Sequence, residues 1–303
     1  MTLRLPGDAC ANKILEVWKM KLHYWGTGAA EGIPSAFCNC KVCQEAREKG
    51  GRYVRGRSQV MIDDELLVDF GADTYQNSLK AGYNLSQLGD VLITHTHEDH
   101  YYPQELHNRQ KGFCYDLKHP ALTLHGSSSI VEKYYDYMAG NGQYLIDQGR
   151  VALSVMKPYE KYKIGKFEVI PLPATHGTVS PFVYVISKNG KTIFYLNDSG
   201  VLKQPVVDWL AESGIKFDLV SYDCTMGMMD TYKDWGENAS HMGLPCVVMM
   251  REKLKAAGVY KDDTVDIVTH FSHNGPKVGY GDFKPLAEDA GFILAYDGFK
   301  IEI

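Results

Sequence analysis

The chain has 303 residues, enough for one large domain or two small ones with a sizeable core. Hydrophobic residues at 45% and charged residues at 23% exclude a disordered chain, and no apolar run reaches the roughly 18 residues of a membrane span. With 32 basic against 37 acidic side chains, the net charge of −5 argues against a binder of nucleic-acid backbones by bulk charge, although a local basic patch stays open.

Residues 1–19 hold no signal-peptide apolar region and read as a short appendage to a single domain over 20–303, with Met20 as an alternative start directly before the first strand. The expected location is the cytoplasm, where the odd number of cysteines, seven, points away from a disulfide framework. Aromatic and β-branched runs bounded by Gly, Asp or Asn predict strands at 21–25, 59–63, 65–70, 91–94, 122–125, 167–171, 182–187, 192–196, 219–222, 265–269 and 292–296. Asp63-Asp64 and Lys188-Asn189-Gly190 read as hairpin turns. Helices are expected at 127–138, 205–213 and 245–257, each followed closely by Gly, the last two opening on Pro. Strands in runs with helices late fit two sheets flanked by helices better than a simple alternating parallel fold.

The densest chemistry follows the fourth strand, in Thr94-His95-Thr96-His97-Glu98-Asp99-His100. Burying three imidazoles and a carboxylate together is costly unless they bind something, and divalent cations take these ligands. The competing reading is a polar surface loop, which suits a lone His better than this cluster. Further candidates stand at strand ends: His176, Asp198, His270 and His273. Three cysteines crowd into Cys38-Asn39-Cys40-Lys41-Val42-Cys43 and suit a structural zinc that lacks its fourth ligand locally. Cys10, Cys114, Cys224 and Cys246 read as small buried hydrophobes.

The order His-x-His-x-Asp-His, His, Asp, His resembles the metallo-β-lactamase superfamily. That resemblance implies a four-layer αβ/βα sandwich, an α/β (α+β) fold, with two divalent ions, zinc or manganese, at one edge. His95, His97 and His176 would hold the first, Asp99, His100 and His270 the second, and Asp198 would bridge them. Asp99 and Asp198 would also serve the reaction. Within the superfamily, the Cys-x-Cys-x-x-Cys loop is similar to that of cyclic phosphodiesterases acting on phosphoribosyl 1,2-cyclic phosphate. This likeness implies that Cys38, Cys40, Cys43 and His273 hold a structural zinc and that His241 is a general acid. By itself His241 also reads as a residue near a helix start without chemistry.

The function expected is hydrolysis of a small, cyclic phosphodiester, with a small phosphorylated substrate, no membrane partner, no nucleic acid, and a homodimer left open. The alternatives are a role like the B protein of pyrroloquinoline quinone biosynthesis, which shares the Cys pattern, and a tRNA 3′-processing nuclease, which shares the His/Asp core. Thioester or lactam hydrolysis by the same ions is a further rival. Arg55 and Arg57 read either as phosphate contacts or as a solvated strand face. Residues 101–150 and 225–235 look like insertions near the site.

Overall fold

The computed structural model describes residues 19–275 and 279–303. The appendage expected over residues 1–19 therefore lies, but for Lys19, outside the described residues, as does Cys10.

Two seven-stranded mixed sheets face each other. The first contains β1 (Lys21–Gly26), β2 (Gln59–Ile62), β3 (Leu66–Val68), β4 (Asp90–Leu92), β5 (Leu122–Gly126), β6 (Val151–Val155) and β14 (Lys300–Glu302), in the order β14-β1-β2-β3-β4-β5-β6. The second contains β7 (Tyr162–Ile164), β8 (Phe167–Pro173), β9 (Phe182–Lys188), β10 (Lys191–Leu196), β11 (Phe217–Asp223), β12 (Tyr260–Thr269) and β13 (Ile293–Leu294), in the order β13-β12-β11-β10-β9-β8-β7. Each sheet starts as an antiparallel meander and continues with parallel pairs, β3 to β6 and β10 to β13. The Lys188 to Lys191 turn has positive φ at Asn189 and Gly190, as a tight hairpin between right-twisted strands requires.

Alternation along the strands builds the layers. Val60, Ile62, Ile193 and Tyr195 point between the sheets, where they meet Tyr184 and Leu219 in the central core. Their neighbours Met61 and Phe194 point outward, under helices. Ile130, Tyr134 and Met138 of α3 (Ser129–Met138) and Leu145 of α4 (Asn141–Asp147) cover the first sheet. The second is covered by α1 (Lys41–Lys49), α5 (Gln204–Glu212), α7 (Leu244–Ala256) and α8 (Tyr280–Asp289). The short helix α2 (Thr74–Ala81) packs Ala81 against the outer core of the first sheet, and α6 (Thr231–Trp235) follows β11.

The three expected helices are present with ends within two residues. Among the described residues, five further helices and strands β6, β7 and β14 are additions to the expected elements. The first sheet's central strands are shorter than expected. β3 stops at Val68 because Asp69 adopts a left-handed backbone, and β4 stops at Leu92. Residues 101–150 are not an insertion over the site, since they supply β5, α3 and α4.

Candidate metal centre and active site

Carboxyl ends of strands on one rim bring the ligands together, as expected for parallel sheets. The loop after β4 carries His95 to His100, β8 leads to His176, β10 to Asp198, β11 to Asp223 and β12 to His270. Asp198 and His270 have positive φ, so the chain turns sharply and presents both side chains inward. Two glycines allow the loops to close. A Cβ on Gly71 would stand 1.9 Å from the Asp99 carbonyl oxygen, and one on Gly200 would stand 1.7 Å from that of Ala239.

His95 Nε2 lies 2.9 Å from His97 Nδ1, which lies 3.2 Å from His176 Nε2. Asp198 Oδ2 lies 3.2 Å from His95 Nε2, 3.0 Å from His100 Nε2 and 3.6 Å from His270 Nε2. His100 Nε2 is also 3.0 Å from Asp99 Oδ2. All seven expected ligands thus form two groups sharing Asp198, with the ligand atoms of each group within 4.8 Å of one another. Four ligands about 2.05 Å from a tetrahedral centre stand about 3.3 Å apart, so the donor set fits divalent cations. Asp198 Oδ1 is buried without a hydrogen bond, although His241 Nδ1 comes to 3.1 Å. A bound cation would satisfy such an orphan.

Burial, with His100 adding to it, holds the His95 pKa well below the ordinary imidazole value, and burial also lowers that of His176. Both are then neutral, as ligands must be. Burial would raise the Asp198 carboxyl, but the surrounding imidazoles hold it well below the carboxylate range. His100 and His270 are pushed up, burial being outweighed for His100 by Asp99 and Asp69 and for His270 by Asp198 and Asp223. Cation binding there releases protons.

Outer contacts fix these rings, and sequence reading missed them. Asp69 Oδ2 is 2.6 Å from His100 Nδ1, while its Oδ1 accepts from the Thr94 amide and hydroxyl. Asp223 is fully buried and accepts from the amides of Thr225 and Met242. Its Oδ2 lies 3.1 Å from His241 Nδ1 and 3.4 Å from His270 Nδ1. The available signal was an acid closing each apolar strand, Leu67-Val68-Asp69 and Tyr222-Asp223. His241 joins the cluster between Asp198 and Asp223; with His270 these could also hold a cation. Carboxylates orienting ligand imidazoles tune both ring and cation.

Cys38, Cys40, Cys43 and His273 also converge. His273 Nδ1 is 3.4 Å from Cys38 Sγ and 3.6 Å from Cys40 Sγ. Tetrahedral zinc–sulfur bonds of about 2.3 Å place sulfurs roughly 3.8 Å apart, so this set fits a closed zinc site. Burial opposes ionisation of Cys40, but hydrogen bonds from the Cys43 amide, Cys38 and His273 lower its thiol to about 6. Cys224 and Cys246 are buried as expected, whereas Cys114 is half-buried.

In the basic run Arg55 departs from both readings, whereas Arg57 is part-exposed. Arg55 is buried, donating to Thr27 Oγ1 and the Ala295 carbonyl, and its guanidinium lies 4.3 Å from the centre of the Phe271 ring. Arg57 pairs with Asp73 at 2.6 Å. The ligand clusters open into a cleft of about 290 Å³ bordered by Thr225 and Met226, but by no residue of 101–150. A larger cavity of about 520 Å³ beside Phe70, Leu106 and Phe113 contains none of the ligands.

The model of the β-lactamase superfamily domain matches residues 65–270, more than half of the chain. The chain belongs to the metallo-β-lactamase superfamily. Its two-sheet sandwich is the superfamily's architecture. Among solved structures, a diphosphatase of the PhnP family shares 21% identity over 94% of this chain and 97% of that one, with a TM-score of 0.68. Zinc-bound PqqB from Methylobacterium extorquens shares 16% over 93% and 100%, with 0.70. The short form of human tRNase Z shares 18% over 93% and 98%, with 0.58. At these identities the likeness is one of fold. No curated protein matches the sequence. No helix among the described residues is long and apolar enough to cross a membrane.

Proposed function

We propose that this protein is a metal-dependent phosphodiesterase that cleaves a small, cyclic phosphodiester of a sugar or nucleotide. The observation carrying the reading is His241, half-buried in the cleft wall, with Nδ1 held 3.1 Å from both Asp223 Oδ2 and Asp198 Oδ1. Burial would lower its pKa, but Asp223 and Asp198 raise it to about 11. A protonated imidazole beside a cation-binding cluster suits proton donation to a leaving alkoxide.

His95, His97, His176, Asp99, His100, His270 and Asp198 would hold divalent cations, zinc or manganese, which would supply positive charge for phosphoryl oxygens and make water acidic near neutral pH. Asp99 orients the attacking water and Asp198 binds across both ligand groups. His241, with Nδ1 engaged by the carboxylates, gives the Nε2 proton to the departing oxygen. General acids contribute on the order of 10²–10⁴-fold. Cys38, Cys40, Cys43 and His273 would hold a zinc that would tie the N-terminal loop to the segment after β12.

The complete ligand set supports catalysis over a carrier role of the quinone-biosynthesis kind. The lack of lysine or arginine among the described residues lining the cleft supports a small substrate over a tRNA. Metal-loaded protein assayed against bis-p-nitrophenyl phosphate, a cyclic ribose phosphate and a β-lactam tests the reading. Turnover of both phosphodiesters is expected, and turnover of the lactam alone overturns it.

A further inference from the structure

The cleft is lined by His97, Asp99, His176, Asp198 and His270 of the ligand groups and by Thr225 and His241. Ala29, Ala30, Glu31, Met226, Ser272 and Asn274 line the rest, and Glu31 is the one charged side chain among these described residues. Arg57, which donates to the Ala30 carbonyl, has its charge engaged by Asp73. Apart from the ligand groups and His241, the described lining therefore offers a substrate the Glu31 carboxylate and no lysine or arginine.

Glu31 is also held in place. Its Oε1 accepts from the Ser272 hydroxyl and, at 3.0 Å, from Asn274 Nδ2, and His273 Nε2 stands 3.7 Å away. These contacts leave Oε2 without a hydrogen bond among the described residues, on a side chain that is 24% exposed. A preorganised carboxylate with a spare oxygen is a good acceptor for sugar hydroxyls. The same carboxylate repels anions. A unit charge about 6 Å away at an effective dielectric near 40 changes affinity about tenfold.

We propose that Glu31 is a specificity-determining residue that accepts hydrogen bonds from an uncharged, hydroxylated substrate moiety and excludes diesters bearing a second anionic group. The assignment rests on the phosphodiesterase reading and narrows its substrate class to ribosyl-type cyclic phosphates without a further phosphate. It departs from the resembled family, whose substrate is phosphoribosyl.

Two measurements on metal-loaded protein test it. Calorimetry compares ribose 1-phosphate with ribose 1,5-bisphosphate, and kinetics compare ribose 1,2-cyclic phosphate with its 5-phosphorylated form. The uncharged-tail member of each pair is expected to be favoured about tenfold or more. Glu31→Gln should erase the preference by improving binding of the 5-phosphorylated member, and Glu31→Asp should retain it. Preference for the 5-phosphorylated ligands, or equal weakening of both ligands by Glu31→Gln, overturns the assignment. If Glu31→Gln misfolds, as a melting curve would show, the preferences of the wild type and Glu31→Asp decide. The expected binding preference without turnover of either cyclic phosphate upholds Glu31 and overturns the phosphodiesterase reading instead.

Discussion

Asp223→Asn is the most informative single change, because it keeps shape while removing one charge. Asp223 Oδ1 accepts from the Thr225 and Met242 amides, which an asparagine oxygen can still do. At Oδ2 the substitution sets an amide against the Thr225 hydroxyl and His241 Nδ1, so the anchor of the imidazolium is lost. A carboxylate about 4 Å from the imidazolium charge, at an effective dielectric near 20, is worth about 4 kcal/mol, or roughly three pH units. In the native protein, burial is outweighed by Asp223 and Asp198, and His241 is raised to about 11. A cation at Asp198 neutralises part of that field, so the native alkaline limb is expected below 11. A general acid works while protonated and is lost as pH rises through its pKa. Lowering that pKa moves the alkaline limb of kcat/KM to lower pH by up to about three units. At pH 8 and saturating metal, turnover of a diester with a ribose leaving group should fall about 10²- to 10³-fold, and turnover releasing p-nitrophenolate less than about tenfold. An unmoved alkaline limb, or equal losses for both leaving groups, would refute the reasoning.

Removal of His241 itself, as His241→Ala, should leave metal content unchanged while slowing release of a poor leaving group on the order of 10²–10⁴-fold; metal loss would make it a ligand. Elemental analysis should find about three metal ions per chain, the two clusters losing theirs independently. Cys40→Ser should lose zinc and lower the melting temperature, whereas His97→Ala should lose activity and keep the fold, and identical behaviour would contradict separate sites. Deletion of residues 1–19 should leave melting temperature and activity nearly unchanged; a large drop in either would show that this segment packs on the domain.

The first candidate ligands were legible because they are local. His95, His97, Asp99 and His100 follow one strand within six residues, and such a cluster has few uses other than binding a cation. The Cys38 to Cys43 loop is equally compact, and strand alternation announced the layers. The outer carboxylates were not legible. Asp69 and Asp223 each end an apolar strand, as many solvent-facing turn residues do, and only folding turns them inward onto His100 and His241. Arg55 misled for the same reason, since its charge lies beside Asp297, under Phe271 and Tyr280, in a place that composition cannot reveal.

By itself, then, the sequence determined which side chains are candidate cation ligands, because motif spacing is a property of the chain, and through its resemblance to the superfamily it implied the kind of sandwich. The tertiary structure alone decided which carboxylate orients which imidazole and that Glu31 faces the cleft, because residues 31 and 272, or 223 and 241, meet only when strands distant in sequence end on one rim.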